Sequence, residues 1–157
     1  MTTSFHVQIA VPFRYEVSFT SDVFNIDNTD LAQALGRREP HKRHRAFFVI
    51  DAGVAHAWPD LPERIQRYAQ HHAQALELAG TPFVVPGGEQ VKNDPRHIEA
   101  MHQEIARRGI DRQSFAVIIG GGAVQDMAGF AAATAHRGCA SCVCPRPFCL
   151  RTIRALA

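Results

Sequence analysis

The stretch that most restricts the fold is "SFAVIIGGGAVQDMAGFAAATAH", residues 114–136. An unbroken apolar run, Phe115 to Ile119, passes straight into Gly120, Gly121 and Gly122, and a small-residue helical pattern follows. A strand apolar on both sides suits a parallel sheet covered by helices on each face. Where such a strand turns into a helix, the first backbone N–H groups of the helix have no partner and favour an anion.

The same grammar recurs upstream. "AFFVID" is a short buried strand ending at Asp51, and "PFVVP", Pro82 to Pro86, is another. Between them, "WPDLPERIQRYAQHHAQALELAG" reads as one helix. Pro62 suits its first turn, Ile65, Tyr68, Ala69, Leu76 and Ala79 fall near helical spacing, and Gly80 ends it. "NDPRHIEAMHQEIARRGI" predicts a second helix, capped by Asp94 ahead of Pro95, with Ile98, Met101 and Ile105 inward and Gly109 as the stop. Nearer the start, Phe5, Val7 and Ile9 alternate, as do Tyr15, Val17 and Phe19, which predicts two strands joined near "VPFR". "DNTDLAQALG" predicts a short helix capped by Asn28 or Thr29 and ended by Gly36. Strands alternating with helices give an α/β fold with a parallel sheet.

Composition narrows the function. A net charge of +2 over 157 residues gives no footing for nucleic acid. No apolar run reaches membrane-spanning length. The N-terminus lacks a basic region followed by a long apolar run, so it reads as mature protein rather than a leader. Residues 1–138 hold no cysteine, and a cytoplasmic setting is the expectation.

Ligands of open α/β sheets bind beyond the C-terminal ends of the strands, and three such ends carry informative residues. Asp51 can accept hydrogen bonds from a ribose diol or serve as a cap or turn aspartate, and taken alone the second reading is favoured. "PGGEQVK" offers two glycines, Gly87 and Gly88, for close backbone approach, with Glu89 and Lys92 as an acceptor and a cation, or as an incidental surface ion pair. In "IIGGGAVQDMAGF" the position of the third glycine of a dinucleotide fingerprint is Gln125, so the pattern indicates phosphate binding without matching that fingerprint. Asp126 can bond a sugar hydroxyl or complement the helix dipole. The histidines, including His41 and His44 in the basic run "GRREPHKRHR", His71 and His72, and His97 and His102, are read as solvated, because their spacing is poor for shared metal ligation.

Together the three loops resemble those of 3-dehydroquinate synthase and the related sugar-phosphate cyclases. "VIDAGV" looks like that family's first nucleotide-contacting turn and "PGGEQVKND" like its G-E-x-x-K loop. "IGGGAVQDMAGFAAATAHRG" is close to its G-G-G-x-x-x-D-x-x-G-F-x-A-x-x-x-x-R-G signature. The resemblance implies a Rossmann-like NAD-binding domain over residues 1–138, with Asp51, Gly88, Glu89, Lys92, Gly121, Gly122 and Asp126 contacting NAD. It also implies a further, mostly helical domain holding zinc or cobalt, whose ligands this chain lacks, a sugar-phosphate substrate, and a homodimer in the full-length parent. In the family reaction NAD oxidises a hydroxyl transiently, phosphate leaves, hydride returns, and an aldol addition closes the ring. Gly53 and Gln125 depart from the family pattern, which bears on the substrate more than on NAD.

The chain end reads "RGCASCVCPRPFCLRTIRALA" and holds all four cysteines. Cys139 and Cys142 have the C-x-x-C spacing of redox or zinc sites, but no second such pair follows. After "RG" the family runs R-x-x-x-V-P-T-T-L-L-x-Q-x-D-S. Back-translated with suitable synonymous codons and read from the third base, residues 139–157 give R-L-V-R-V-P-T-T-V-L-S-Q-N-D-S-G-V. The expectation is therefore a single base lost after the Gly138 codon. The result would be an incomplete nucleotide-binding domain and an out-of-frame tail, 139–157, that is disordered or poorly packed. Pro145 and Pro147 oppose a central strand there. A fragment of this kind is expected to be inactive. The alternative is a free-standing nucleotide-binding module with a thiol-rich, zinc-binding tail.

Overall fold

The computed structural model describes residues 6, 8, 16–135, 138–146 and 149–153. In chain order the elements are β1 (Glu16–Phe19), α1 (Asp30–Gly36), β2 (His44–Asp51), α2 (Ala52–Ala57), α3 (Leu61–His71), β3 (Leu76–Leu78), β4 (Phe83–Val85), a 3-10 helix (Glu89–Asn93), α4 (Pro95–Arg107), β5 (Phe115–Ile119), α5 (Gly122–Thr134), β6 (Ala140–Arg146) and β7 (Cys149–Ile153). One sheet takes all these strands in the order β1-β7-β6-β5-β2-β3, with β4 also against β2. β2, β3, β4, β5 and β6 run parallel, and β7 and β1 extend the edge antiparallel.

Alternation within the buried strands sends successive side chains to opposite faces. Ala46, Phe48 and Ile50 of β2 and Phe115, Val117 and Ile119 of β5 pack with Leu31 and Leu35 of α1 and Ile65 and Tyr68 of α3. Phe47, Val49, Ala116 and Ile118 pack on the other face with Met101 and Ile105 of α4 and Val124, Met127, Ala128 and Ala131 of α5. The α/β class is as expected, with helices on both faces. No helix among the described residues is long and apolar enough to cross a membrane.

α4 starts and stops where the sequence places it. Asp94 accepts from the Arg96 N–H, and Gly109 follows the helix at φ +61°. Asn28 Oδ1 accepts from the Asp30 N–H at the start of α1, while Thr29 occupies the cap position.

Three expectations are corrected. The helix expected over residues 58–80 ends at His71, and Leu76–Leu78 is a strand paired with His44–Ala46. Pairing with β2 and full burial of Leu76 outweigh the helical spacing. His44 is buried at the start of β2, edge-on to Phe115, with Nε2 on the Glu39 carbonyl at 3.1 Å; it belongs to the sheet and not to a solvated loop. Of the two strands expected near the N-terminus, only Glu16–Phe19 falls in described residues; residues 5, 7 and 9–15 lie outside them.

The third correction concerns the tail. Residues 140–144 pair in register with Phe115–Ile119, and Cys139, Ala140, Cys142, Val143 and Cys144 are buried. Pro145 is no barrier to this pairing, because it falls one residue after the last β5 partner, where the β6–β7 register also shifts; Pro147 lies outside the described residues. With the lost base restored, one further codon precedes that string at position 139, so the alternative reading frame puts valine at positions 142 and 144 and proline again at 145. Cysteine and valine are both compact and apolar enough for those two inward positions.

Candidate functional site

β2 stands at the reversal of strand order. The chain passes from β2 to β3 and β4 on one side, then crosses to β5 on the other. Crevices at such switch points, beyond the carboxyl ends of the strands, are where open α/β sheets bind ligands. Register brings the ends together, with Asp51 opposite Val85 and Ile50 opposite Ile119. The loops after β2, β4 and β5 therefore meet.

Asp51 is their centre. It caps α2, its Oδ1 accepting from the Gly53 N–H at 2.8 Å. Both neighbouring loops press glycines against its side chain. A Cβ on Gly87 would stand 2.5 Å from Asp51 Oδ1, and one on Gly120 would stand 2.7 Å from Asp51 Cβ. Any side chain at either position would collide, so these glycines are required by close approach. Gly88 has a different reason: at φ +87° it occupies backbone space that other residues avoid.

Polar groups surround this point. Lys92 Nζ lies 2.9 Å from Asp126 Oδ2 and 3.1 Å from Glu89 Oε2, tying the 3-10 helix to α5. The hydrogen bond to Asp126, followed by that to Glu89, holds the ammonium above its ordinary pKa. Gly121 and Gly122 open α5 exposed, with no side-chain cap and with empty space where a Cβ would be. The leading N–H groups of α5 are thus left for a ligand. The structure places the seven residues named from the sequence, Asp51, Gly88, Glu89, Lys92, Gly121, Gly122 and Asp126, in the segments that follow β2, β4 and β5, with direct contacts joining Lys92 to Glu89 and Asp126. Sequence reading marked Gly87 and Gly120 for close backbone approach and strand ending, and Gln125 as a departure from the glycine fingerprint, but not the packing of both glycines on Asp51 nor the bond from Gln125 to the Gly120 carbonyl. Two glycines facing one aspartate across a sheet are visible only once register is known.

The family profile described as 3-dehydroquinate synthase N-terminal matches residues 82–150, which span two of the three loops and all of β6 and reach into β7. The 3-dehydroquinate synthase of Streptococcus pyogenes serotype M3 is 30% identical over 138 residues, 88% of this chain and 34% of that protein. The chain belongs to the 3-dehydroquinate synthase family. The Zymomonas mobilis 3-dehydroquinate synthase is 34% identical over 108 residues, 68% of this chain and 26% of that protein. The chain thus spans about a third or less of the curated relatives it matches.

Among solved structures, 2-epi-5-epi-valiolone synthase from Streptomyces hygroscopicus, with NAD+ and Zn2+ bound, superposes with TM-score 0.63 at 23% identity, over 86% of this chain and 33% of that one. 2-Deoxy-scyllo-inosose synthase complexed with carbaglucose-6-phosphate, NAD+ and Co2+ gives 0.53 at 21% identity, over 74% of this chain and 30% of that one. Both establish the fold.

Proposed function

We propose that this chain is the NAD-holding part of a 3-dehydroquinate synthase-like cyclase, and that as a 157-residue chain it binds NAD without turning over substrate. The carrying observation is the convergence of three glycine-bearing loops on Asp51 at the switch point. The site suits the dinucleotide in three respects. The uncapped start of α5, with Gly121 and Gly122, accepts a pyrophosphate. Asp51, whose Oδ1 accepts from Gly53 alone among the described residues, keeps acceptor capacity for a ribose hydroxyl. Gly88 lets the backbone come close, and Glu89, Lys92 and Asp126 line the approach. When bound, NAD supplies a hydride acceptor.

The zinc or cobalt of the family does not fit the described residues, which hold no group of three or more His, Cys, Asp or Glu side chains able to bind a metal. Cys139 packs on the α4/α5 face, while Cys142 and Cys144 pack on the opposite one. This separation goes against the thiol-rich zinc module. Sugar-phosphate turnover and dimerisation by a full-length parent, and the cytoplasmic setting, belong to the same proposal, resting on resemblance to the family.

Calorimetric titration of the purified chain with NAD tests the reading. Saturable binding that Asp51→Ala and Lys92→Met each weaken is expected. Absence of binding to a folded wild-type chain would refute it.

A further inference from the structure

Three successive glycines have wide backbone freedom, so something besides their own sequence must fix the turn that presents Gly121 and Gly122. The Gly120 peptides are tied on both sides. The Gly120 N–H donates to the Cys144 carbonyl of β6 at 3.2 Å. The Gly120 carbonyl accepts from the Gln125 side-chain Nε2 at 2.7 Å. Gln125 also closes the first turn of α5 through its backbone, its N–H donating to the Gly121 carbonyl at 3.0 Å. One half-buried residue therefore grips the turn twice.

The peptide bond makes this grip directional. The Gly120 carbonyl and the Gly121 N–H belong to one planar trans unit and point in opposite directions. Fixing the carbonyl toward Gln125 fixes the Gly121 N–H away from it. We propose that Gln125 is a positioning residue: its side-chain amide locks the Gly120–Gly121 peptide plane and so aims the Gly121 N–H at the anion this turn receives. The assignment deepens the NAD reading and rests on it for the identity of the anion.

Gln125→Met keeps length and removes the donor; Gln125→Glu keeps shape, and its carboxylate cannot donate to a carbonyl. Without ligand, the backbone order parameter of Gly121 should fall in both variants while those of β2 are unchanged. Affinity for NAD and for ADP should fall about three- to tenfold, the worth of ordering one hydrogen bond. Affinity for adenosine, which lacks the pyrophosphate, should not move. An unchanged Gly121 order parameter, or an equal loss for adenosine, would overturn the assignment. Should either variant fail to fold, scalar coupling between Gln125 Nε2 and the Gly120 carbonyl carbon in the wild type decides: its presence supports the lock and its absence refutes it. A wild-type chain that binds no NAD would sink the functional reading, and the order-parameter and coupling measurements would still judge Gln125.

Discussion

Gly120 and Asp51 touch so closely that a Cβ on the glycine would lie 2.7 Å from the Cβ of the aspartate. The contact joins the ends of β5 and β2 and leaves no slack on either side. Gly120→Ala should destabilise by about 1–3 kcal/mol, the usual cost of forcing an extra methyl into a packed place. Gly129, on the helix that follows, gives the opposite case. It lies inside α5 with nothing within 4 Å of a built Cβ. Gly129→Ala should stabilise by about 0.5–1 kcal/mol by restricting the unfolded chain. Urea denaturation of the two variants checks the contrast, and equal effects would contradict the geometry.

Arg108 holds α4 against the loop between β3 and β4. Its guanidinium donates to the Ala79 and Thr81 carbonyls at 2.7 and 2.6 Å, bonds Glu104 at 2.7 Å, and lies over the Phe47 ring. Hydrogen bonds from Arg107 first, and then from Arg108, hold the Glu104 carboxyl down at about 2, against its ordinary 4.5. A carboxyl depressed by folding contributes stability that is complete above 4.5 and is lost as pH falls through the folded value. Glu104→Gln should therefore lower stability at pH 7, by about 1–3 kcal/mol. It should also flatten the decline between pH 4.5 and 2. Denaturation midpoints across that window measure both effects.

The readable parts of this fold were those governed by one local signal. Pro95 after Asp94, and Gly109 behind a stripe of Met101 and Ile105, define α4 without help from the rest of the chain. The site loops were legible because glycines and charges cluster at strand ends. Leu76–Leu78 was not, since three residues carry too little periodicity and only pairing with β2 makes them a strand. Nor was His44, whose basic neighbours suggest solvent although Arg43 and Arg45 turn outward to Glu77. Gly87 and Gly120 owe their necessity to a shared neighbour about 35 and 70 residues away, a relationship set by sheet order.

The tail strand can be tested through its cysteines. Cys142 and Cys144 are fully buried on one face, at the positions where the alternative frame places valine. Cys142→Val with Cys144→Val should keep stability within about 1.5 kcal/mol, as volume-conserving apolar exchanges do. Adding Cys149→Ser leaves Cys139 as the sole thiol. Burial pushes that thiol up to about 11, and its Sγ donates to the Ala132 carbonyl. At pH 8 it should react with a disulfide reagent only as fast as the chain opens, and at once in denaturant. Rapid labelling of the native variant would show that β6 is not docked on β5.

Turnover is the most demanding test. In the proposed function Asp51, Gly121, Gly122 and Lys92 hold the dinucleotide, and no metal-binding group stands among the described residues. Holding NAD is not sufficient for cyclisation, because hydride transfer, phosphate loss and ring closure each need the substrate kept near contact with the reacting group. The matched relatives are about three times as long as this chain, so most of their length has no counterpart in it. Incubated with NAD, a divalent metal and the keto-sugar acid phosphate of 3-dehydroquinate synthase, the chain should release no phosphate above background. A gene with one base restored after the Gly138 codon, read through to its next stop, should encode the valine-bearing strand and recover release if the lost-base reading is right. Sustained phosphate release by the unrepaired 157-residue chain would refute inactivity, and failure of the restored gene to yield an active enzyme would count against the lost base.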